Sequence, residues 1–305
     1  MKFGKEKINF ADNLDLFARE VVEGFLTGMH KSPYHGFSVE FAEHRLYNKG
    51  DSIKNIDWKL FARSDKLFVK KFEEETNLRS HIFLDVSSSM FYPQNKDLSK
   101  INFSIYCAAA LMYLFQKQRD GFGLTYFSDK LDFFSEAKNT TSHYKRLISE
   151  LDILINKKQG EFGKKTNFSK VVSTVVEKIH QRSLIIIFSD MMNFDSSSLS
   201  ELFEGLQHLR HKKNEVILFH VHDLETEKSL NFDNRPHRFI DMETKSEIKL
   251  NPISYRQTYQ KIYADFQSKI SEQCYQYKID YVPAIIQDGF AKILISYLTK
   301  RSKLF

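Results

Sequence analysis

His81-Ile82-Phe83-Leu84-Asp85-Val86-Ser87-Ser88-Ser89-Met90 is the stretch whose reading decides the fold. Its apolar half has the character of a short buried strand, and the strand stops at a carboxylate followed by three hydroxyls. Asp85, Ser87 and Ser89 recur at every second position. In a loop leaving a strand end, alternate residues can turn towards one point, which there gathers one anionic and two neutral oxygens. Such a set suits a hard cation like Mg²⁺, which takes near-octahedral oxygen ligation at about 2.0–2.1 Å. The plainer reading of the same residues is a serine-rich turn that caps a helix. Residues further along the chain bear on the choice.

Downstream of this stretch, strands and helices alternate. Ile101–Lys117 is expected to form a helix apolar nearly all round, hence buried. Gly123–Phe127 reads as a strand, with Lys130–Phe134 returning beside it as an edge hairpin. Helical spacing follows over Tyr144–Ile155, a polar loop over Asn156–Thr166, and helical spacing again over Phe168–Ile179. Ser183–Phe188 reads as a fully buried strand that ends in Ser189-Asp190; Leu199–Leu209 is a helix and Glu215–His220 a strand. Beyond these come a hairpin over Arg238–Leu250, a long helix carrying Tyr255 to Ile270, a strand at Asp280–Ala284 and a helix at Ala291–Leu298. Apolar strands separated by helices of this length predict an α/β fold, a mainly parallel, doubly wound sheet with both faces covered.

Upstream, Leu14, Phe17, Ala18, Val21, Val22, Phe25 and Leu26 mark an amphipathic helix. Ser38–Ala42 and Leu67–Phe72 resemble strands. The expected organisation is a small α+β extension over 1–80, packed on a main domain over 81–305.

Composition excludes a disordered chain: of 305 residues 42% are hydrophobic, with 28 Phe and 14 Tyr. The net charge of +6 comes from 45 Lys+Arg against 39 Asp+Glu, and the two signs interleave, so the surface reads as solvated first and only weakly drawn to anionic partners. Cys107 and Cys274 both fall in apolar helical patterns, as buried free thiols in a reducing compartment do. Met1-Lys2-Phe3-Gly4-Lys5-Glu6 shows no leader, and the longest apolar run, Ile105–Phe115, is about half a membrane span. The expected location is the cytoplasm.

In an open parallel sheet, ligands bind beyond the carboxyl ends of the strands. Asp85 and Asp190 both end strands there, and Thr166 closes a polar loop just before a helix. Alone, Thr166 or Asp190 would read as a helix cap. Together, Asp85, Ser87, Ser89, Thr166 and Asp190 supply oxygens and about two negative charges, enough for a divalent ion with a position left open.

These residues resemble the metal-ion-dependent adhesion site of von Willebrand factor type A (vWA) domains. That resemblance implies that Ser87 and Ser89 bind Mg²⁺ (or Mn²⁺ or Ca²⁺) directly, and that Asp85, Thr166 and Asp190 do so directly or through water. It also implies that a partner's carboxylate fills the last position. Glu40-Phe41-Ala42-Glu43-His44-Arg45, Tyr47, Gly50-Asp51, Ile56-Asp57-Trp58, Ala62-Arg63 and Phe72-Glu73-Glu74-Glu75 are similar to the hallmark of the bacterial domain-of-unknown-function family 58. Asp120-x-x-Gly123-Leu124 and His220-Val221-x-Asp223 fit the same family. Its members are vWA-like and commonly associated with MoxR-type AAA+ ATPases. The resemblance therefore implies a Mg²⁺-dependent, non-enzymatic adaptor that works with such an ATPase on a client protein offering a carboxylate. Many relatives carry membrane helices ahead of this region; this chain shows none, so membrane attachment would come through a partner.

Other chemistries fit less well. A phosphohydrolase of the haloacid dehalogenase type needs Asp-x-Asp, and here Ser87 replaces the second carboxylate. Gly163-Lys164-Lys165-Thr166 has a P-loop ending, but position 158 is Lys where the loop requires Gly. The serines lack the flanking glycines of a hydrolase nucleophile. His220 and His222 share a strand face without a second pair at ligand spacing, so a core or edge role is expected. Arg45, Asp57 and Arg63 around Trp58 read either as a buried ion-pair network or as a partner-docking surface. No aromatic-basic module marks a nucleic-acid binder, and none is expected as partner.

Overall fold

The computed structural model describes residues 13–30, 44–46, 61, 63, 67–70, 78–94, 98–157, 168–192 and 196–302. The chain divides into two compact units, Met1–Gly28 with Leu78–Phe305, and Met29–Asn77. The opening helix α1 (Leu14–His30) is counted with the large unit as far as Gly28, so this division differs from the boundary at residue 80 drawn from sequence. In the small unit, β1 (His44–Leu46) pairs antiparallel with β2 (Phe68–Lys70). The strand expected over Ser38–Ala42 lies outside the described residues.

The large unit follows the predicted alternation. Its elements are β3 (Arg79–Asp85), α2 (Lys100–Lys117), β4 (Gly121–Phe127), β5 (Leu131–Phe134), α3 (Thr141–Asn156), α4 (Phe168–Val175), β6 (Leu184–Ser189), α5 (Ser196–His211) and β7 (Glu215–His222). Then come the hairpin β8 (His237–Ile240) and β9 (Glu247–Leu250), the long α6 (Pro252–Gln276), β10 (Asp280–Ile285) and α7 (Ala291–Arg301). The six-stranded sheet runs β10-β7-β6-β3-β4-β5, parallel throughout except for the edge strand β5. The fold is α/β, as expected.

The chain leaves β3 in two opposite directions: through β4 to β5 on one side, and through β6 and β7 to β10 on the other. Strand order thus reverses between β3 and β6, the switch point where the loops at the carboxyl ends part and leave a crevice. Asp85 ends one of these two strands and Asp190 follows the other.

Side chains alternate between the faces of a strand. Phe83, Phe127, Ile185, Ile187, Val216 and Leu218 point into a core with α4, α5 and α6. On the other face Phe115 of α2 packs on Phe122 and on Tyr297 of α7, and Phe17 of α1 lies 4.5 Å, centroid to centroid, from Tyr106. Burial on both faces explains why β4 and β6 are buried at every residue.

Gly123 is required where it stands. A Cβ there would lie 2.6 Å from the carbonyl oxygen of Ser135 and 2.7 Å from the His81 ring, so β3, β4 and the segment after β5 interlock only around a bare backbone. The amino ends of the strands are closed from α7. Arg301 pairs with the buried Asp120 just before β4, and Lys300 bridges Glu215 of β7 at 2.7 Å and Asp280 of β10 at 3.0 Å.

Candidate functional site

The first turn after β3 draws Asp85, Ser87 and Ser89 together. The Ser87 backbone N–H donates to Asp85 Oδ1 at 2.9 Å, which folds the chain back on the carboxylate. The Ser87 and Ser89 hydroxyls meet at 3.2 Å, and Ser88–Phe91 closes as a single 3-10 turn. The turn is buried, with Ser87 at 0% and Ser89 at 8% exposure. Parallel pairing of β3 with β6 then brings the neighbouring strand end alongside, and the Ser189 hydroxyl donates to Asp85 Oδ2 at 2.6 Å.

Asp190 is the next residue, 2% exposed, and three contacts fix it. The Met192 N–H donates to its Oδ1 at 3.2 Å, and the Lys100 ammonium donates to its Oδ2 at 2.6 Å. His220 Nε2 lies 3.0 Å from its backbone carbonyl. A carbonyl only accepts, so His220 carries its proton on Nε2, and Nδ1 accepts from the Tyr281 hydroxyl at 2.7 Å. Burial, with the neighbouring His222, holds His220 down at about 3, so the ring that props Asp190 is neutral.

Lys100 heads α2 and is completely buried. Besides Asp190, its ammonium contacts Glu227, which lies on the turn Leu224–Lys228. That turn is shaped by Asp223, whose Oδ1 accepts from the Thr226 N–H at 2.8 Å and whose Oδ2 accepts from Gln287 at 2.6 Å. The Asp223 N–H in turn donates to Glu227 Oε2 at 2.8 Å. The His220-Val221-x-Asp223 motif is therefore a scaffold for the site: its histidine holds Asp190 and its aspartate presents Glu227.

Electrostatics follow from this packing. Burial, reinforced by Asp190's charge, pushes Asp85 up to about 6, against the opposing Ser189 and Ser87 hydrogen bonds. Burial disfavours the Lys100 ammonium, but Asp190 and Glu227 outweigh it and leave its pKa raised. Burial raises Glu227 too, and Asp190 adds to that, against the Lys100 contact. The ion pair moves its two ends differently; an ammonium and a backbone N–H on the two Glu227 oxygens favour its ionised form.

The structure thus brings Asp85, Ser87, Ser89 and Asp190 to one strand edge. Their donor chemistry, buried carboxylate and hydroxyl oxygen, fits a hard divalent ion. Among the described residues no three His, Cys, Asp or Glu side chains converge as a metal cluster. Thr166 and Asp57 lie outside the described residues, as does the side chain of Arg45; Arg63 is exposed. Of the two histidines, His220 props the site. His222 donates from Nδ1 to the His220 carbonyl, and its Nε2 has no hydrogen-bond partner among the described residues.

Sequence reasoning missed Lys100, Glu227 and Ser189. One signal for Lys100 was available: a lysine at the head of a helix whose following residues are apolar on every side has no solvent to face.

The family described as "Protein of unknown function DUF58" matches residues 43–269. The uncharacterized protein Rv1480 of Mycobacterium tuberculosis (strain ATCC 25618 / H37Rv) is 28% identical over 101 residues, 33% of this chain and 32% of that protein. The uncharacterized protein Mb1516 of Mycobacterium bovis matches with the same figures. The chain therefore covers about a third of the length of these relatives, 32% of each. Among solved structures, the conserved hypothetical protein BatB from Bacteroides thetaiotaomicron is similar over 73% of this chain and 99% of its own, with 16% identity and a TM-score of 0.42. The SpRpn10 VWA domain is similar over 47% of this chain and 75% of its own, with 12% identity and a TM-score of 0.33.

Proposed function

The chain belongs to the DUF58 family, and from that membership and the oxygen-lined strand ends we propose that it is a non-enzymatic, Mg²⁺-dependent protein-interaction adaptor. The observation that carries the proposal is the burial of Asp85 and Asp190 at the ends of two adjacent strands, near enough for Asp190's charge to act on Asp85, with the Ser87 and Ser89 hydroxyls in the turn that follows Asp85. Two buried carboxylates in reach of one another repel, and a divalent cation relieves that repulsion.

Asp85, Ser87, Ser89 and Asp190 would hold the ion, joined by Thr166 on the vWA resemblance. When bound, the ion would supply a positive centre for a carboxylate of the partner. The chain's own residues orient the oxygens: the Ser189 hydroxyl and the Ser87 N–H hold Asp85, while the Met192 N–H and His220 hold Asp190. We assign the partners as a MoxR-type AAA+ ATPase and a client protein assembled or remodelled by the pair. No nucleic acid is required. Among the described residues no helix is long and apolar enough to cross a membrane. The two buried free cysteines suit a reducing compartment, and on that ground the proposed location is the cytoplasm.

The test is capture of a MoxR-type ATPase from the same cells by the purified protein, in Mg²⁺ and in EDTA. Retention in Mg²⁺ that is lost in EDTA and in Asp85→Ala supports the proposal. Retention indifferent to both removes the metal from the function. Retention that survives EDTA but falls steeply with salt points to a nucleic-acid bridge instead.

A further inference from the structure

Lys100 brings a fixed positive charge into the place where the proposed ion would act. Its ammonium is wholly buried, donates to Asp190 Oδ2 at 2.6 Å, and also contacts Glu227. It is thus shared between two carboxylates of different standing. Asp190 belongs to the crevice between β3 and β6. Glu227 lies on the turn after β7 and faces Lys100 and the Asp223 N–H.

We propose that Lys100 is a resident cation that competes with a divalent ion for Asp190, and that Glu227 is the seat to which its ammonium withdraws when the ion enters. The inference rests on the metal reading of the site and adds what sets its affinity. Asp85, Asp190 and Glu227 against Lys100 leave two negative charges when all are ionised, which one divalent ion neutralises. With only Asp190 beside it, the ammonium would have to be driven off its sole partner in a buried setting, at a large electrostatic cost. Glu227 lowers that cost, because the ammonium exchanges a shared position for a carboxylate it already touches. The short turn organised by Asp223 keeps that second seat in place. The site is then tuned: Lys100 offsets part of the carboxylate charge without metal, and the two negative charges that remain are those a divalent ion neutralises.

Calorimetric titration of Mg²⁺ and Mn²⁺ into wild type, Lys100→Met, Lys100→Arg and Glu227→Gln tests this, with thermal melts of each in EDTA and in Mg²⁺. Lys100→Met removes the competitor and should bind metal about tenfold more tightly or better, because one repelling charge is gone. It should melt lower than wild type in EDTA and recover in Mg²⁺. Lys100→Arg keeps the charge and should stay within a few-fold of wild type. Glu227→Gln removes the second seat and should weaken metal binding; in the Lys100→Met background the same change should matter less, since there is no ammonium to reseat. Equal or weaker metal binding by Lys100→Met overturns the role of Lys100 while leaving the metal site standing. Absence of binding in wild type and Lys100→Met alike overturns the metal reading and this inference together. Should Lys100→Met not fold, Glu227→Gln decides: affinity equal to wild type overturns the inference.

Discussion

Replacing Asp85 by asparagine removes a buried charge while keeping the shape of the side chain. Free aspartate titrates at 3.8 and Asp85 in the fold at about 6. Between those values the folded chain holds a proton that the unfolded chain has released, so rising pH costs stability across this window, and the loss persists above it. The gap is about two pH units at about 1.4 kcal/mol each, so ionised Asp85 costs the metal-free protein about 3 kcal/mol at neutral pH. The asparagine does not titrate. Its carbonyl still accepts from the Ser87 N–H, and its amide can donate to the Ser189 hydroxyl in place of the acceptor it replaces. Urea unfolding in EDTA, wild type beside Asp85→Asn at each pH, isolates the carboxylate pair, because groups remote from Asp85 and Asp190 titrate alike in both chains. Near pH 4 the two should be equally stable; at pH 7.5 the variant should be the more stable by about 1–3 kcal/mol, the lower end allowing for imperfect reseating of the Ser189 hydrogen bond. Adding Mg²⁺ at pH 7.5 should raise wild type alone, since a ligand stabilises only the chain that binds it. A stability difference that does not change between pH 4 and 7.5 would show that Asp85 carries no electrostatic cost in the fold, and the reasoning would fail.

Three further outcomes follow from the same geometry. Gly123→Ala forces a Cβ to 2.6 Å from the Ser135 carbonyl and should cost about 1–3 kcal/mol in urea unfolding, with wild-type stability refuting the interlock of β3, β4 and the segment after β5. Ser87→Ala deletes a neutral oxygen that water can replace, so partner capture in Mg²⁺ should weaken less than in Asp85→Ala; the reverse order would move the weight of the site from charge to hydroxyl. The purified protein should hydrolyse neither p-nitrophenyl phosphate nor ATP, because Ser87 stands where a second carboxylate would be needed; turnover abolished by Asp85→Asn would make it an enzyme.

The strand ends were legible because their signal is local. The apolar run of β6 and the run before Asp85 could only be buried strands, and a carboxylate at the close of each had to project from the same rim once the sheet was parallel. Helix limits were less so: the pattern over Phe168–Ile179 promises a longer helix than α4, which stops at Val175 and tightens into a 3-10 turn over Val176–Lys178. β-Branched residues crowd the preceding turn there, and helix ends tighten readily. The ion pairs of Lys100 were hidden for another reason. Lys100 lies 90 residues from Asp190 and 127 from Glu227, and no periodicity links a helix head to a turn that far away. What sequence offered was a misfit, a lysine opening an apolar helix, which says that a counter-charge exists without saying where.

The grip of α7 on the amino ends of the strands has a bearing on how this molecule could be altered. Lys300 and Arg301 clasp Asp120, Glu215 and Asp280, at the opposite rim from Asp85 and Asp190. One rim is therefore a hinge-free foundation, sealed by pairs between distant parts of the chain, and the other is a workbench of loops. On the proposed function, changes to the loops after β3, β6 and β7 would redirect recognition without touching the seal. A cut that removes the last turn of α7 would strand the buried Asp120 without its guanidinium, and the damage would spread to all three strands it ties together.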